Sequence, residues 1–137
     1  MQFEVGVLLE CGLKSLEKEL RESPCPYNLQ DVRRFLANFI ELGAHLQDSQ
    51  LVHRDIKPSN VILFGDGLDF KLADFGLSCC AYNRPVGFAG TPHYCSPALN
   101  AFKRHGDKRR VPLTNPYKDD VYSLGVTGKE VYASLAR

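Results

Sequence analysis

Apolar positions change their spacing several times along the chain, and each spacing predicts a different element. The first run, Phe3 to Leu9, is rich in valine and leucine and predicts a buried strand followed by a turn. A short charged helix is then predicted to begin at Ser15 and to cover Leu16 to Arg21. The Ser-Pro-Cys-Pro sequence at 23–26 ends it, because proline lacks an amide proton and restricts the residue before it.

The clearest helical pattern follows Asn28, which is a good N-cap. Apolar residues then recur with the spacing of an amphipathic helix, one face of which we expect to pack on a core. The stripe consists of Leu29, Val32, Leu36, Phe39 and Gly43, flanked by Phe35, Ile40 and Leu46.

Two later apolar runs predict a β-hairpin. Val61 to Phe64 and Phe70 to Ala73 are joined by the turn Gly65-Asp66-Gly67, and Leu51-Val52 precedes them.

Beyond the hairpin, prolines and glycines punctuate residues 77–119, which we expect to form loops. These residues include a basic run, Lys103 to Arg110, predicted to be a solvated insert. The alternatives for this run are a docking surface for acidic substrates and a nuclear-import patch. A final helix is predicted from near Asp120 to the C-terminus.

Composition narrows the class of protein. The 137 residues, 44% of them hydrophobic and 24% charged, suit a single globular domain. A formal charge of +1 gives no reason to expect a nucleic-acid or anionic-membrane partner. The apolar runs fall far short of the roughly 20 residues that span a bilayer, and the N-terminus does not resemble a secretory signal. We therefore expect a cytoplasmic protein, with the nucleus as the alternative.

The five cysteines are odd in number and contain no C-x-x-C pair, so we expect reduced thiols. They are Cys11, Cys25, Cys79, Cys80 and Cys95.

The chemistry-bearing residues begin in the sequence His-Arg-Asp-Ile-Lys-Pro-Ser-Asn, at 53–60, between two apolar runs. A loop between anchored strands can aim a carboxylate and an amide oxygen at adjacent points. Phosphoryl transfer needs such a pair, because the protein must orient a hydroxyl nucleophile and hold magnesium on the phosphates. Asp55 suits the first task and Asn60 the second.

The second hairpin strand is followed by Asp74-Phe75-Gly76, which combines a hard carboxylate ligand with an apolar anchor and a flexible glycine. Either tripeptide alone is a weak signal, and His-Arg-Asp could be a surface ion-pair cluster. A zinc enzyme built from His53, Asp55 and the cysteines is a further alternative, but the spacings match no usual zinc site. The ordered pair of motifs favours a metal-assisted phosphoryl-transfer site.

With these motifs, HRDIKPSN and DFG, nearly the whole chain resembles the eukaryotic protein kinase family. The resemblance implies an α+β fold consisting mainly of the helical C-terminal lobe, with a hinge strand and the catalytic-loop hairpin. Residues 1–12 would be the last small-lobe strand and hinge, residues 13–137 an incomplete C-terminal lobe, and most of the small lobe would be missing.

The resemblance also implies ATP and Mg²⁺ as cofactors and a protein substrate with a Ser or Thr acceptor. Asp55 would accept or orient the proton of the substrate hydroxyl, Asn60 and Asp74 would bind Mg²⁺, and Lys57 would contact the transferred phosphate. Lys57 and Gly90-Thr91-Pro92 resemble the serine/threonine branch, in which the Thr91 hydroxyl would bridge Asp55 and Lys57.

Other segments resemble the adenine site and the brace of the catalytic loop. The carbonyl of Glu10 and the amide of Gly12 would bind the adenine ring, Leu9 would guard the pocket, and Ile62 would lie under the ring, although such a strand residue is more often simply core. Asp120 would hold the catalytic loop by hydrogen bonds; the alternative is an N-terminal helix charge.

The sequence also departs from the family pattern. It contains no G-x-G-x-x-G and no V-A-I-K-type lysine, and Ala98 stands where the family's A-P-E has glutamate. Arg54 resembles kinases switched on by phosphate, yet Ser78 and Tyr82 are the only hydroxyl residues between 78 and 90. We expect this chain alone to bind ATP poorly and to transfer little or no phosphate. The alternative function is a non-catalytic, kinase-like interaction module.

Overall fold

The longest helix organises the chain. In a computed structural model that describes residues 8–24, 26–83, 88–105, 115 and 117–136, it covers Leu29–Asp48 (here α2). The Asn28 side chain accepts the amide protons of Gln30 and Asp31, and the Asp31 carboxylate accepts the amide proton of Asn28. This capping box satisfies amides that the first helical turn leaves unpaired. The predicted cap is confirmed.

Only part of the predicted apolar stripe of α2 is buried. Val32, Phe35, Phe39 and Leu46 face the core, whereas Leu29 and Leu36 are partly exposed and Ile40 is 74% exposed. The buried side faces the hairpin, where the ring of Phe35 stacks on that of Phe70 at 5.6 Å. The stripe is therefore wider than the surface that covers it.

The predicted hairpin is confirmed, with slightly different bounds. Strands β3 (Val61–Phe64) and β4 (Asp69–Leu72) are antiparallel, with Val61 opposite Leu72. A two-residue strand, β1 (Lys14–Ser15), pairs with the other edge of β3, so the sheet order is β1-β3-β4. Helix α1 (Leu16–Glu22) follows β1 directly, as the charged pattern predicted.

A second, two-stranded sheet brackets the chemistry-bearing residues. Strand β2 (Leu51–Val52) pairs antiparallel with β5 (Cys79–Cys80). The 53–60 loop and the Asp74-Phe75-Gly76 motif both lie between these strands in sequence, so this pairing brings the ends of that stretch together.

Three sequence predictions are wrong or incomplete. Within 77–119, expected to be loops, Cys79–Cys80 form strand β5 and helix α3 covers Pro97–His105, with proline at its favoured first position. The final helix, α4, covers Tyr117–Ala133 and so begins before Asp120. The predicted strand Phe3 to Leu9 falls mostly outside the described residues, and Leu8 and Leu9 are exposed and form no strand. The basic run beyond His105 also lies outside them.

The core lies between α1, α2, the hairpin and α4. Helix α4 packs against α2, and its Leu124 and Val131 belong to the same buried cluster as Phe35 and Phe39. Among the described residues, no helix is long and apolar enough to cross a bilayer. The packing places the start of α4 behind the 53–60 loop.

Candidate active site

The backbone of the 53–60 loop is held by one buried carboxylate. Asp120 accepts the amide proton of His53 on Oδ2 at 2.7 Å and that of Arg54 on Oδ1 at 2.9 Å. Burial raises the pKa of Asp120 above its usual value, although the two amides oppose the rise. Arg54 has a left-handed backbone, with φ of 72°. The bracing contact expected of Asp120 is therefore formed.

His53 ties this loop to the end of β4. Its ring is buried, with Nε2 3.0 Å from the Ala73 carbonyl oxygen, and Nδ1 accepts the amide proton of Asp55 at 3.3 Å. Burial lowers the pKa of His53, so a neutral ring that donates from Nε2 satisfies both bonds. The edge of the ring contacts Phe75, with centroids 4.8 Å apart. The His53 ring is a buried packing element, whereas Phe75, expected to be an apolar anchor, is 46% exposed and so is only partly buried.

Asp55, Lys57 and Thr91 form a closed triangle of polar contacts. The Thr91 hydroxyl donates to Oδ1 of Asp55 at 2.7 Å, and the Lys57 ammonium lies 2.8 Å from Oδ2 and 2.9 Å from the Thr91 hydroxyl oxygen. Burial opposes ionisation of Asp55, but the hydrogen bonds from Lys57 and Thr91 outweigh it and hold its pKa below the usual value. The site therefore contains an ionised, mostly buried carboxylate.

Thr91 can contact Asp55 and Lys57 because the preceding Gly90 lets its backbone lie close to that of Arg54. Gly90 has φ of +109°, and a Cβ placed on it would lie 2.5 Å from the Arg54 carbonyl oxygen. Any other residue would thus combine an unfavourable conformation with a steric clash. This close contact holds the 90–100 segment against the 53–60 loop.

Asn60 and Asp74 lie at neighbouring strand ends. The Asn60 side-chain amide donates to the Asp55 carbonyl at 2.8 Å and lies 3.3 Å from Asp55 Oδ2, so its Oδ1 is the atom left as a metal ligand. The Asn60 carbonyl accepts the Ala73 amide proton at 2.8 Å, which places the residue before Asp74 beside it. Asp74 has φ of 60°, and its Oδ1 accepts the Gly76 amide proton at 3.3 Å.

An amide oxygen and a carboxylate are the hard ligands that Mg²⁺ takes when water and phosphate supply the rest. Asn60 and Asp74 therefore fit this ion. The zinc alternative gains no support, since the described part of the chain contains no group of three or more His, Cys, Asp or Glu side chains that could hold a metal.

The residues expected around adenine are brought together only in part. Leu13 donates its amide proton to the Leu63 carbonyl at 2.8 Å. This bond places the preceding residue, Gly12, against the side chain of Ile62. A Cβ on Gly12 would lie 2.2 Å from Cγ2 of Ile62, so only glycine fits there. The Glu10 side chain forms an ion pair with Lys71 on β4. The adenine roles of Glu10, Gly12 and Ile62 stay predictions.

The sequence did not predict how the 90–100 segment is attached to α4. The Tyr94 hydroxyl donates to Oε1 of Glu130 at 3.0 Å, and Ser123 donates to the Tyr94 carbonyl at 2.8 Å. Nearer α3, Ser96 donates to Oδ1 of Asp119 at 2.6 Å. A serine just before a proline is a helix-start signal that could have located α3, but nothing in the sequence indicated its partner.

Comparison with known proteins agrees with these motifs. The family model described as protein kinase domain matches residues 4–135. Serine/threonine-protein kinase 10-A of Xenopus laevis is 31% identical over 130 residues, which are 93% of this chain and 12% of that protein. The human hormonally up-regulated neu tumor-associated kinase is 36% identical over 124 residues, or 87% of this chain and 14% of that protein. Misshapen-like kinase 1 of Rattus norvegicus is 34% identical over 88% of this chain and 9% of that protein.

The chain thus spans about a tenth of the length of these relatives. Among solved structures, the crystal structure of the yeast RNA Pol II CTD kinase CTDK-1 complex contains a chain similar in fold. The TM-score is 0.73 at 20% identity, covering 91% of this chain and 38% of that one. The predicted α+β, partial kinase-like fold is confirmed.

Proposed function

The chain belongs to the protein kinase family, and from this premise we propose that its site serves transfer of the γ-phosphoryl group of ATP to a serine or threonine hydroxyl of a protein. One observation carries the proposal: an ionised Asp55 is bracketed by Lys57 and Thr91. Protein kinases need a carboxylate that orients the attacking hydroxyl and a cation near the moving phosphoryl group.

Asp55 orients the substrate hydroxyl and accepts its proton. Its lowered pKa keeps it ionised at neutral pH, and burial excludes competing water from one side. Lys57 supplies positive charge beside the transferred group. Thr91 fixes both partners, because its hydroxyl contacts each of them.

Asn60 and Asp74 would hold Mg²⁺. The ion, when bound, neutralises charge on the phosphates. The contribution of the chain is to present the two oxygen ligands from neighbouring strand ends, with the Asn60 amide oriented by its bonds to Asp55. Asp74 is oriented by the Gly76 amide.

Specificity for serine and threonine is supported by Lys57 and Thr91 and by the relative named a serine/threonine-protein kinase. Residues 1–12 would act as the last small-lobe strand and hinge, and residues 13–137 as an incomplete C-terminal lobe. The 137-residue sequence contains no glycine-rich phosphate loop, so these residues alone should bind ATP weakly. A cytoplasmic or nuclear setting stays a prediction.

A second candidate is a non-catalytic interaction module. Ala98 removes a family acid, and apolar side chains on one side of α2 and α4 lie open to solvent, with Ile40 74% and Val121 59% exposed. Exposed apolar patches commonly mark interaction surfaces. The intact Asp55, Asn60 and Asp74 favour the catalytic function.

The test is phosphoryl transfer by the native gene product, purified as the cell makes it, with labelled ATP, Mg²⁺ and matched Ser, Thr and Tyr peptides. We expect label on the Ser and Thr peptides and a loss of at least about 100-fold in Asp55→Ala. Glu41→Ala, an exposed acid on α2, should retain full activity. Equal activity in Asp55→Ala, or no transfer by the unmodified protein, would favour the interaction module.

A further inference from the structure

The 90–100 segment has an attachment of its own. Ser96 is 9% exposed, and its hydroxyl donates to Oδ1 of Asp119 at 2.6 Å while accepting the Leu99 amide proton at 3.2 Å. The same hydroxyl therefore caps the start of α3 and joins it to the start of α4. A hydrogen bond to a carboxylate is short and about twice as strong as a neutral one.

Asp119 is the direct neighbour of Asp120, which holds the amides of His53 and Arg54. Consecutive residues of one helix thus fasten two different parts of the site: Asp120 the 53–60 loop and Asp119 the 90–100 segment. Because both belong to the first turn of α4, a rigid element fixes the relative position of the two parts.

The attachment reaches Thr91 through the first turn of α3. The Asn100 side-chain amide donates to the carbonyl of Pro92 at 2.9 Å and to that of Cys95 at 3.0 Å. Pro92 follows Thr91 directly, so a helix start fixed by Ser96 also fixes the residue beside Thr91.

We propose that Asp119 is a positioning residue, which through Ser96 holds the 90–100 segment so that the Thr91 hydroxyl stays on Asp55. The catalytic consequence rests on the proposed phosphoryl transfer, whereas the attachment itself does not. The Ser96–Asp119 bond fastens the 90–100 segment, which Ala98 cannot do because alanine has no polar side-chain group.

Cys95 reports on the attachment without any assay of activity. It adjoins Ser96, is 6% exposed, and burial together with the charges of Asp55 and Asp119 raises its pKa to about 11. At pH 8 the thiol is protonated and reacts slowly. Release of the segment would return its pKa towards about 8.5 and speed alkylation about 20-fold, after allowance for the lower nucleophilicity of a more acidic thiol.

The experiment measures iodoacetamide alkylation of the 137-residue chain at pH 8 by peptide mass spectrometry. Asp119→Ala and Asp119→Asn form a matched pair, because both remove the charge while only Asn keeps an oxygen that can accept from Ser96. We expect Cys95 to react at least tenfold faster in Asp119→Ala and within about threefold of the unmodified chain in Asp119→Asn. Glu41→Ala should change nothing, and the rate at Cys79 in β5 should stay constant, which shows that the rest of the fold persists.

Ser96→Ala provides a second route if Asp119→Ala unfolds and Cys79 also reacts faster. It should release Cys95 alone, and adding Asp119→Asn to it should give no further increase, since the hydroxyl that donates to Asp119 is already removed. Protection of Cys95 that is unchanged in both Asp119→Ala and Ser96→Ala would overturn the inference, as would equal release by Asp119→Ala and Asp119→Asn. Rescue of Cys95 protection by Asp119→Asn, together with no phosphoryl transfer by the native gene product, would refute the proposed function and leave the attachment established.

Discussion

Thr91 donates its hydroxyl proton to Oδ1 of Asp55 over 2.7 Å, although 36 residues separate the two in sequence. The contact joins the 90–100 segment to the 53–60 loop at the carboxylate on which the proposed chemistry depends. It also explains why the pKa of Asp55 is lowered despite burial, since Lys57 and Thr91 both donate to its ionised form.

Thr91→Val should raise the pKa of Asp55, because it removes a hydrogen bond that favours the carboxylate. Titration of the Asp55 side-chain carbon by ¹³C NMR measures this, with Thr91→Ser as the control that keeps the hydroxyl. The lowered pKa contributes stability above the unfolded value of about 3.9, and that stability is lost as the pH falls through the folded pKa. An unchanged Asp55 titration in Thr91→Val would mean that the contact does not form in solution.

Asp120→Ala should destabilise the fold by about 3 kcal/mol, because it leaves the amides of His53 and Arg54 without their acceptor. Asp120→Asn keeps one oxygen and should lose about half as much. Urea unfolding followed by circular dichroism gives both values. A loss below about 0.5 kcal/mol in the Ala variant would contradict the bracing role, because surface substitutions produce changes of that size.

Stability should fall as the pH decreases below about 6.5, the usual pKa of an unfolded histidine. His53 is buried and its folded pKa is lowered, so the unfolded chain binds a proton first in this range. The loss can reach about 1.4 kcal/mol for each pH unit down to the folded pKa. Urea unfolding at pH 7 and 5.5 tests this, and His53→Gln should flatten the dependence; equal slopes in the two proteins would contradict it.

Thr127→Val should stabilise the fold by about 1 kcal/mol. The Thr127 side chain is fully buried, and its hydroxyl has no hydrogen-bond partner among the residues that the structure describes. Valine keeps the shape and removes the unpaired polar atom. Thermal unfolding measures the change, and Thr127→Ser, which keeps the hydroxyl and loses a methyl group, should be destabilised. A less stable Val variant would show that the hydroxyl is hydrogen-bonded in solution.

Local sequence signals were sufficient to predict the elements whose ends are determined by neighbouring residues. The Asn28 cap and the glycine turn after Phe64 are determined by residues within a few positions, so the start of α2 and the hairpin follow from the sequence. Helix α3 was missed because the prolines and glycines around it favour loops.

Tertiary packing decided what local pattern could not. Ile40 belongs to the apolar stripe of α2, yet it is exposed, because the hairpin and α4 cover only part of that face. The motifs identified Asp55, Asn60 and Asp74, and the family resemblance identified Asp120, but only the fold shows that the adjacent Asp119 contacts Ser96. The side chains of adjacent helical residues point in different directions, and these two contact different partners.

The central claim is that Asn60 and Asp74 form one metal–nucleotide site beside Asp55. Electron paramagnetic resonance of Mn²⁺, used in place of Mg²⁺, can measure weak binding of metal and ATP to the 137-residue chain. We expect ATP-dependent Mn²⁺ binding that weakens at least about tenfold in Asp74→Asn and in Asn60→Ala, because each substitution removes a proposed ligand of the ion. Glu41→Ala should leave the binding unchanged. Equal Mn²⁺–ATP binding by Asp74→Asn and the unmodified chain would contradict the account.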